Sequence, residues 1–222
     1  MAASLKGILF DHDGTLVDSE MTHFEMWEGI LAEHGVQLTQ ARYQQHYAGI
    51  PTSANASDMV ARFSLSVPSS QLVAAKEAAT RDFLVQQAFP LRAGAYDAVT
   101  RCHASGLHTA VVTGAGRAGV DRTLTAHALG DFIDDVVSGD DVARSKPAPD
   151  CYRLALQRLG LLAEQCVAVE DTEHGLAAAS AAGIPCLAVP TAMSEHHDFS
   201  RAAGIFETLD AAIDWAMNEC RP

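Results

Sequence analysis

Gly7-Ile8-Leu9-Phe10-Asp11-His12-Asp13-Gly14-Thr15 is an apolar run that stops abruptly at two acids and a glycine. Without period-two alternation, such a run suits a strand buried on both faces, as parallel sheets require. Similar runs recur at Thr109 to Val112, Val136 to Val137, Cys166 to Val169 and Cys186 to Val189. Between them, apolar residues return at helical spacing: Ala95, Ala98, Val99 and Cys102; Val120, Leu124 and Ala128; Tyr152, Ala155, Leu156 and Leu159. Strands alternating with helices predict an α/β fold with a doubly wound, Rossmann-like parallel sheet, whose ligands bind beyond the carboxyl ends of the strands.

One stretch breaks the alternation. From about Val17 to Phe89 there is no strand run, while Phe24, Trp27 and Leu31, then Leu72, Ala75, Ala79 and Phe83, are helically spaced. Val67-Pro68-Ser69-Ser70 interrupts it as a turn, and Pro90 follows its end. The expected organisation is an α/β core, residues 1–16 and 89–222, with a small helical cap domain, residues 17–88, inserted after the first strand and facing the ligand edge of the sheet.

The chain has 222 residues, 48% of them hydrophobic, which allows one sizeable core and a smaller second module. Its formal net charge of −13 argues against nucleic acid or anionic membrane as partner. Cys102, Cys151, Cys166, Cys186 and Cys220 are odd in number and far apart, which signals neither a disulfide framework nor a zinc site. A single early lysine, Lys6, and the short apolar segment before Asp11 do not make a signal peptide, and no run reaches membrane-spanning length. The expectation is a cytoplasmic protein, monomer or weak homodimer, acting on a small molecule.

The chemistry-bearing residues cluster at the predicted strand ends. Asp11 and Asp13 follow the first, Thr113 the second, Lys146 comes shortly after the third, and Glu170 and Asp171 end the fourth. The fold would gather them at one place, where several hard carboxylate oxygens suit Mg2+. Phosphoryl transfer needs an in-line nucleophile, cationic and hydrogen-bonding groups on the phosphoryl oxygens, and a general acid. Asp11, Lys146, Thr113 and Asp13 supply that set, and Gly14 allows close backbone approach to the phosphate.

Asp11-His12-Asp13-Gly14-Thr15, Thr113 in Val-Val-Thr-Gly, Ser145-Lys146-Pro147, and Glu170-Asp171-Thr172 followed by Gly175 resemble, in order, the four motifs of the haloacid dehalogenase superfamily. The Ser-Lys-Pro-Ala-Pro-Asp and Val-Glu-Asp-Thr segments, with a helical cap after the first motif, are most similar to its β-phosphoglucomutase and phosphoglycolate phosphatase branch. Asp198-Phe199-Ser200 also resembles a segment of sugar-phosphatase members. The resemblance implies Asp11 as nucleophile and metal ligand, and Asp13 as general acid and base that also lends its carbonyl to the metal. Asp171 would be the third protein ligand and Glu170 a ligand through water or a support for that shell. Thr113, Gly114 and Lys146 would hold the phosphate, and Lys146 should lower the pKa of Asp11. His23 on the first cap helix and Arg117 after Thr113 are further candidates for contact with substrate. The implied activity is Mg2+-dependent hydrolysis of a phosphate monoester, a sugar phosphate or phosphoglycolate, through an aspartyl-phosphate.

Rival activities differ at particular positions. A mutase of the β-phosphoglucomutase type places an arginine a few residues after a mid-cap glycine, where this chain reads Gly49-Ile50-Pro51-Thr52. A dehalogenase has no use for Asp13, and a phosphonate hydrolase needs an early-cap lysine, whereas Val17 to Val60 has none. Gly114-Ala115-Gly116 with Gly119 matches dinucleotide-fingerprint spacing, but it follows the second strand run and better suits a phosphate loop. His196-His197-Asp198 is expected to be a polar loop with no metal. An inactive interaction module on the same fold is the alternative of a different class.

Overall fold

The computed structural model describes residues 4–219, and in it the opening apolar run forms β1 (Gly7–Phe10), buried at every position. The other runs form β2 (His108–Val112), β3 (Asp135–Val137), β4 (Cys166–Glu170) and β5 (Cys186–Ala188), and a two-residue β6 (Gly204–Ile205) completes the sheet. All pairings are parallel, in the order β3-β2-β1-β4-β5-β6. β6 has no counterpart among the predicted runs, because two residues, with Ile205 exposed, carry no apolar pattern.

Side chains alternate across the sheet, so Ile8 and Phe10 pack on one face and Leu9 on the other. α5 (Ala95–Ala104), α6 (Arg117–Ala126) and α9 (Leu209–Glu219) cover the first face, while α7 (Asp150–Leu159) and α8 (Glu173–Ala181) cover the second. Each large aliphatic or aromatic side chain fully buried there contributes about 1.5–3 kcal/mol relative to exposure. That makes the strand ends a rigid platform. Phe10 pairs with Val111 on one side and Val169 on the other, so the residues after it emerge between the ends of β2 and β4. Strand order reverses there, β2 and β3 being added on one side of β1 and β4, β5 and β6 on the other, which opens a crevice at the carboxyl edge.

Between β1 and α5 lie α1 (Glu20–Ala32), α2 (Gln40–His46), α3 (Thr52–Arg62) and α4 (Ser69–Gln86). They enclose their own apolar cluster, including Phe24, Trp27, Leu31, Tyr43, Met59 and Leu72, with Met193 joining from the loop after β5. The proline-serine break predicted inside the stretch stands where Pro68 precedes α4. The chain leaves and re-enters the sheet layer through paired segments: Asp18 N–H donates to the Pro90 carbonyl at 2.9 Å, and Arg92 N–H to the Leu16 carbonyl at 2.9 Å.

Cys102, Cys151, Cys166 and Cys186 are buried free thiols, and Cys220 lies outside the described residues. Among the described residues no helix is long and apolar enough to cross a membrane.

Candidate active site

Lys146 reaches the crevice from the loop before α7 and binds three oxygens from three strand ends. Its Nζ donates to Asp11 Oδ1 at 2.6 Å, to Glu170 Oε1 at 2.5 Å and to the Val112 carbonyl at 2.7 Å. All three side chains of this group are buried. Tyr152, on the inner face of α7, donates its hydroxyl to the same Glu170 Oε1 at 2.6 Å. The ammonium and the phenol thus fix one oxygen of Glu170 and leave Oε2 buried without a hydrogen-bond partner.

Asp171 adds a third carboxylate, and Asp11, Glu170 and Asp171 each bring a ligand oxygen within 4.8 Å of the others. Asp171 Oδ1 is also buried without a partner. Three carboxylates facing one ammonium leave net negative charge in a poorly solvated place, and the proton affinities record it. Burial, with repulsion from Asp11, pushes Glu170 up to about 7. Burial, with repulsion from Asp11, Glu170 and Glu20, holds Asp171 well above the usual range. Asp11 is also raised, because burial outweighs Lys146, which lowers its pKa as expected. Burial opposes charge on Lys146, yet Asp11 and Glu170 together raise its pKa. The two orphaned oxygens and the excess of hard anionic donors fit a divalent cation such as Mg2+.

Asp13 turns away from this cluster. Ser19 Oγ donates to its Oδ1 at 2.7 Å, His12 Nδ1 lies 3.1 Å from its Oδ2, and His23 Nε2 lies 3.5 Å from Oδ1. Burial would raise its pKa, but the His12 and His23 contacts outweigh it and hold the carboxylate well below the usual range. His23 is on α1, so the helical insert reaches the crevice directly. Gly14 makes room for the metal-type cluster: its φ is +79°, and a Cβ there would lie 2.0 Å from Asp171 Oδ2.

Thr113 is buried at the end of β2, where its Oγ1 accepts from Ala115 N–H at 3.0 Å, and the Gly114 carbonyl accepts from Ser145 Oγ at 3.3 Å. The phosphate-loop candidates therefore abut the segment that carries Lys146. Arg117 is engaged elsewhere, with Asp121 at 2.8 Å and the Val136 carbonyl at 3.3 Å, and its side chain is 46% exposed. His196 and His197 meet edge to face with ring centroids 4.6 Å apart, and His197 Nδ1 accepts the Glu173 N–H at 3.3 Å, a loop contact at the start of α8.

Several residues were not foreseen. Lys76 of α4 is buried, with Nζ 3.0 Å from His23 Nδ1 and 3.1 Å from Thr80 Oγ1; burial lowers its pKa to about 8. The signal was present, since Lys76 falls four residues after Leu72 and seven before Phe83 on the apolar stripe. Buried Glu20 accepts from Tyr43 Oη at 2.7 Å and from Gly49 N–H at 3.3 Å. Gly49, with φ +68°, in turn packs on Thr172 beside Asp171, where a Cβ would lie 2.6 Å from Thr172 Cγ2. Arg92 donates to the Gly14 and Val189 carbonyls, tying the re-entry segment to the loop after β1.

The gathering of Asp11, Lys146, Glu170 and Asp171 is matched along the chain as a whole. The family described as haloacid dehalogenase-like hydrolase covers residues 5–183. The chain belongs to that family. This haloacid dehalogenase-like hydrolase is 32% identical to protein CbbY of Rhodobacter capsulatus, over 97% of this chain and 98% of that protein. It is 34% identical to fructose-1-phosphate phosphatase YqaB of Escherichia coli (strain K12), over 82% of this chain and 95% of that protein. A solved structure of a CbbY mutant from Rhodobacter sphaeroides, in complex with xylulose-(1,5)bisphosphate, superposes with a TM-score of 0.81 at 26% identity, over 92% of this chain and 95% of that one. The predicted α/β class and superfamily are borne out, and the branch anticipated from the motifs is represented among the structural neighbours. The hydrolase is an enzyme of the phosphatase type.

Proposed function

We propose that this chain hydrolyses the phosphate monoester of a small sugar or polyol, with Mg2+ bound by Asp11 and Asp171 and supported by Glu170. The observation that carries the proposal is Lys146 Nζ bridging Asp11 Oδ1 and Glu170 Oε1 beside two orphaned carboxylate oxygens. The cation, when bound, screens the repulsion between a carboxylate nucleophile and a phosphate dianion.

Asp11 attacks phosphorus, its Oδ–P bond forms, and the bond from phosphorus to the leaving oxygen breaks. Asp13 gives that oxygen a proton. In the second step Asp13 takes a proton from water, the water oxygen attacks phosphorus, and the Asp11–phosphorus bond breaks to release phosphate. The low proton affinity of Asp13 suits the second step, and the negative charge of an arriving phosphate raises it for the first. Lys146 and Thr113 hold the phosphoryl oxygens, with Gly14 and Gly114 giving backbone access. Residues 17–88 act as a cap: His23 faces Asp13 from it, with Lys76 on the other nitrogen of its ring, and closure excludes water.

Hydrolysis is favoured over transfer back to sugar because Thr52 begins α3 just after the Gly49 turn, which rests on Thr172. The sugar-phosphate class is supported by the names of the relatives, one a fructose-1-phosphate phosphatase. The same reading keeps a monomer or weak homodimer in the cytosol, where small phosphorylated metabolites and reduced thiols coexist. Wild-type protein with Mg2+ should release phosphate from members of a sugar-phosphate panel, and Asp11→Asn should not, with its circular dichroism unchanged. Turnover by a folded Asp11→Asn variant would overturn the mechanism. Glucose 6-phosphate formed from β-glucose 1-phosphate and its bisphosphate would show a mutase.

A further inference from the structure

We propose that His12 is a positioning residue: from the sheet side, and steadied by Thr123, it holds the carboxylate of Asp13 in the orientation that proton transfer requires. This rests on the phosphatase reading of Asp13. His12, the residue between the two acids at the strand end, is 1% exposed and packed toward α6. A buried histidine with both nitrogens satisfied is usually a piece of core. Here, though, one of the partners is the candidate acid itself. Nδ1 lies 3.1 Å from Asp13 Oδ2 and Nε2 lies 3.0 Å from Thr123 Oγ1, a hydroxyl contributed by a buried helix position more than a hundred residues later.

The two oxygens of Asp13 are addressed from opposite sides. Oδ1 meets Ser19 and His23, which belong to the segment entering the insert and to α1. Oδ2 meets His12, which belongs to the strand end and is fastened to α6 of the sheet layer. Any displacement of the insert would therefore take the Oδ1 contacts with it and leave the Oδ2 contact in place. With hydrogen on Nδ1, His12 donates to the carboxylate. Thr123 keeps the imidazole from rotating out of that alignment. General acid and base catalysis requires the carboxyl within hydrogen-bond reach of the leaving oxygen and of the attacking water, and a displacement of about 1 Å costs on the order of a hundredfold in rate.

His12→Phe keeps a buried ring and removes both hydrogen bonds. His12→Asn keeps a donor near the Nδ1 position, and Thr123→Val removes only the hydroxyl. With a sugar phosphate turned over by the wild type, His12→Phe should lower kcat by about ten- to a hundredfold with KM changed less than about twofold, as expected for misplacement of an acid that does not bind the ground state. His12→Asn should recover most of kcat, and Thr123→Val should lose about two- to fivefold. Nitrogen-15 correlation spectra of the wild-type histidines, with His12 assigned by its loss in His12→Asn, should show hydrogen on Nδ1. A folded His12→Phe protein with kcat within about twofold of wild type overturns the proposal. So does a ring carrying hydrogen on Nε2 alone, or a loss of kcat that His12→Asn does not restore although it melts like wild type. Failure of the wild type to hydrolyse any phosphate ester refutes the phosphatase reading instead, and the ring spectra are read without turnover.

Discussion

Lys146 Nζ and Asp11 Oδ1 stand 2.6 Å apart in a buried pair whose partners are separated by most of the sheet layer's sequence. The same ammonium holds Glu170, so removing it strips the only cation among the described residues in contact with these two carboxylates. Lys146→Met should lower turnover by about 10²–10³-fold. In EDTA it should also destabilise the fold by about 3 kcal/mol, because an uncompensated buried charge is left behind. Urea unfolding and steady-state kinetics measure both. Wild-type kinetics in this variant would dismiss Lys146 from the site.

Glu170 sets a pH signature for the metal-free protein. Its pKa is raised from an ordinary 4.5 to about 7, so the folded state binds more protons than the unfolded state between those values. The stability it contributes is full below pH 4.5 and is lost as pH rises through 7, by about 3 kcal/mol from this group. Asp11 and Asp171, also raised, act in the same direction. In EDTA, stability should therefore fall between pH 5 and 8. Added Mg2+ should reverse the fall at pH 8 and have little effect at pH 5. A Mg2+ response independent of pH would contradict the carboxylate site.

Gly14→Ala should be inactive, by at least about a hundredfold, and should lose the Mg2+-induced rise in melting temperature. Two causes converge: the left-handed φ of +79° and a Cβ that would stand 2.0 Å from Asp171 Oδ2. Normal Mg2+ stabilisation in this variant would show that Gly14 does not shape the cluster.

Lys76 predicts a trade between stability and turnover. Its pKa is lowered from 10.5 to about 8, so the unfolded chain binds the proton more tightly, and the cost is full below pH 8 and disappears as pH rises toward 10.5. Lys76→Met should raise stability at pH 7 by about 2 kcal/mol and lower kcat severalfold through the loss of its contact with His23. Thermal melts at pH 7 and 10 test the first, since the gain should shrink at the higher pH. A variant less stable at pH 7 would show that Lys76 supports the insert.

The strand runs at Gly7 to Phe10 and Cys166 to Val169 were legible because a strand buried on both faces must be apolar throughout, a property of the segment itself. α9 was overlooked although Leu209, Ala212, Ile213 and Ala216 carry the helical spacing, and β6 had no pattern to show. Within the site, Asp11, Lys146, Glu170 and Asp171 were legible because each sits at or near a strand end in a recognisable motif. Tyr152 was read as part of an apolar stripe, because from spacing alone its hydroxyl has no visible partner until Glu170 is placed beside it. His12 was likewise an intervening letter until α6 brought Thr123 to its far nitrogen.

By itself, the order of apolar runs and acids determined the fold class and the residues that gather at the carboxyl edge, because burial and backbone topology follow from local pattern, while the family followed from the resemblance of four motifs. Only the tertiary structure decided the charge balance among them. Proton affinity and orientation depend on distances between groups far apart in the chain: burial overrides Lys146 at Asp11, and His12, Ser19 and His23 together aim Asp13. Those electrostatic sums exist only once the chain has closed on itself.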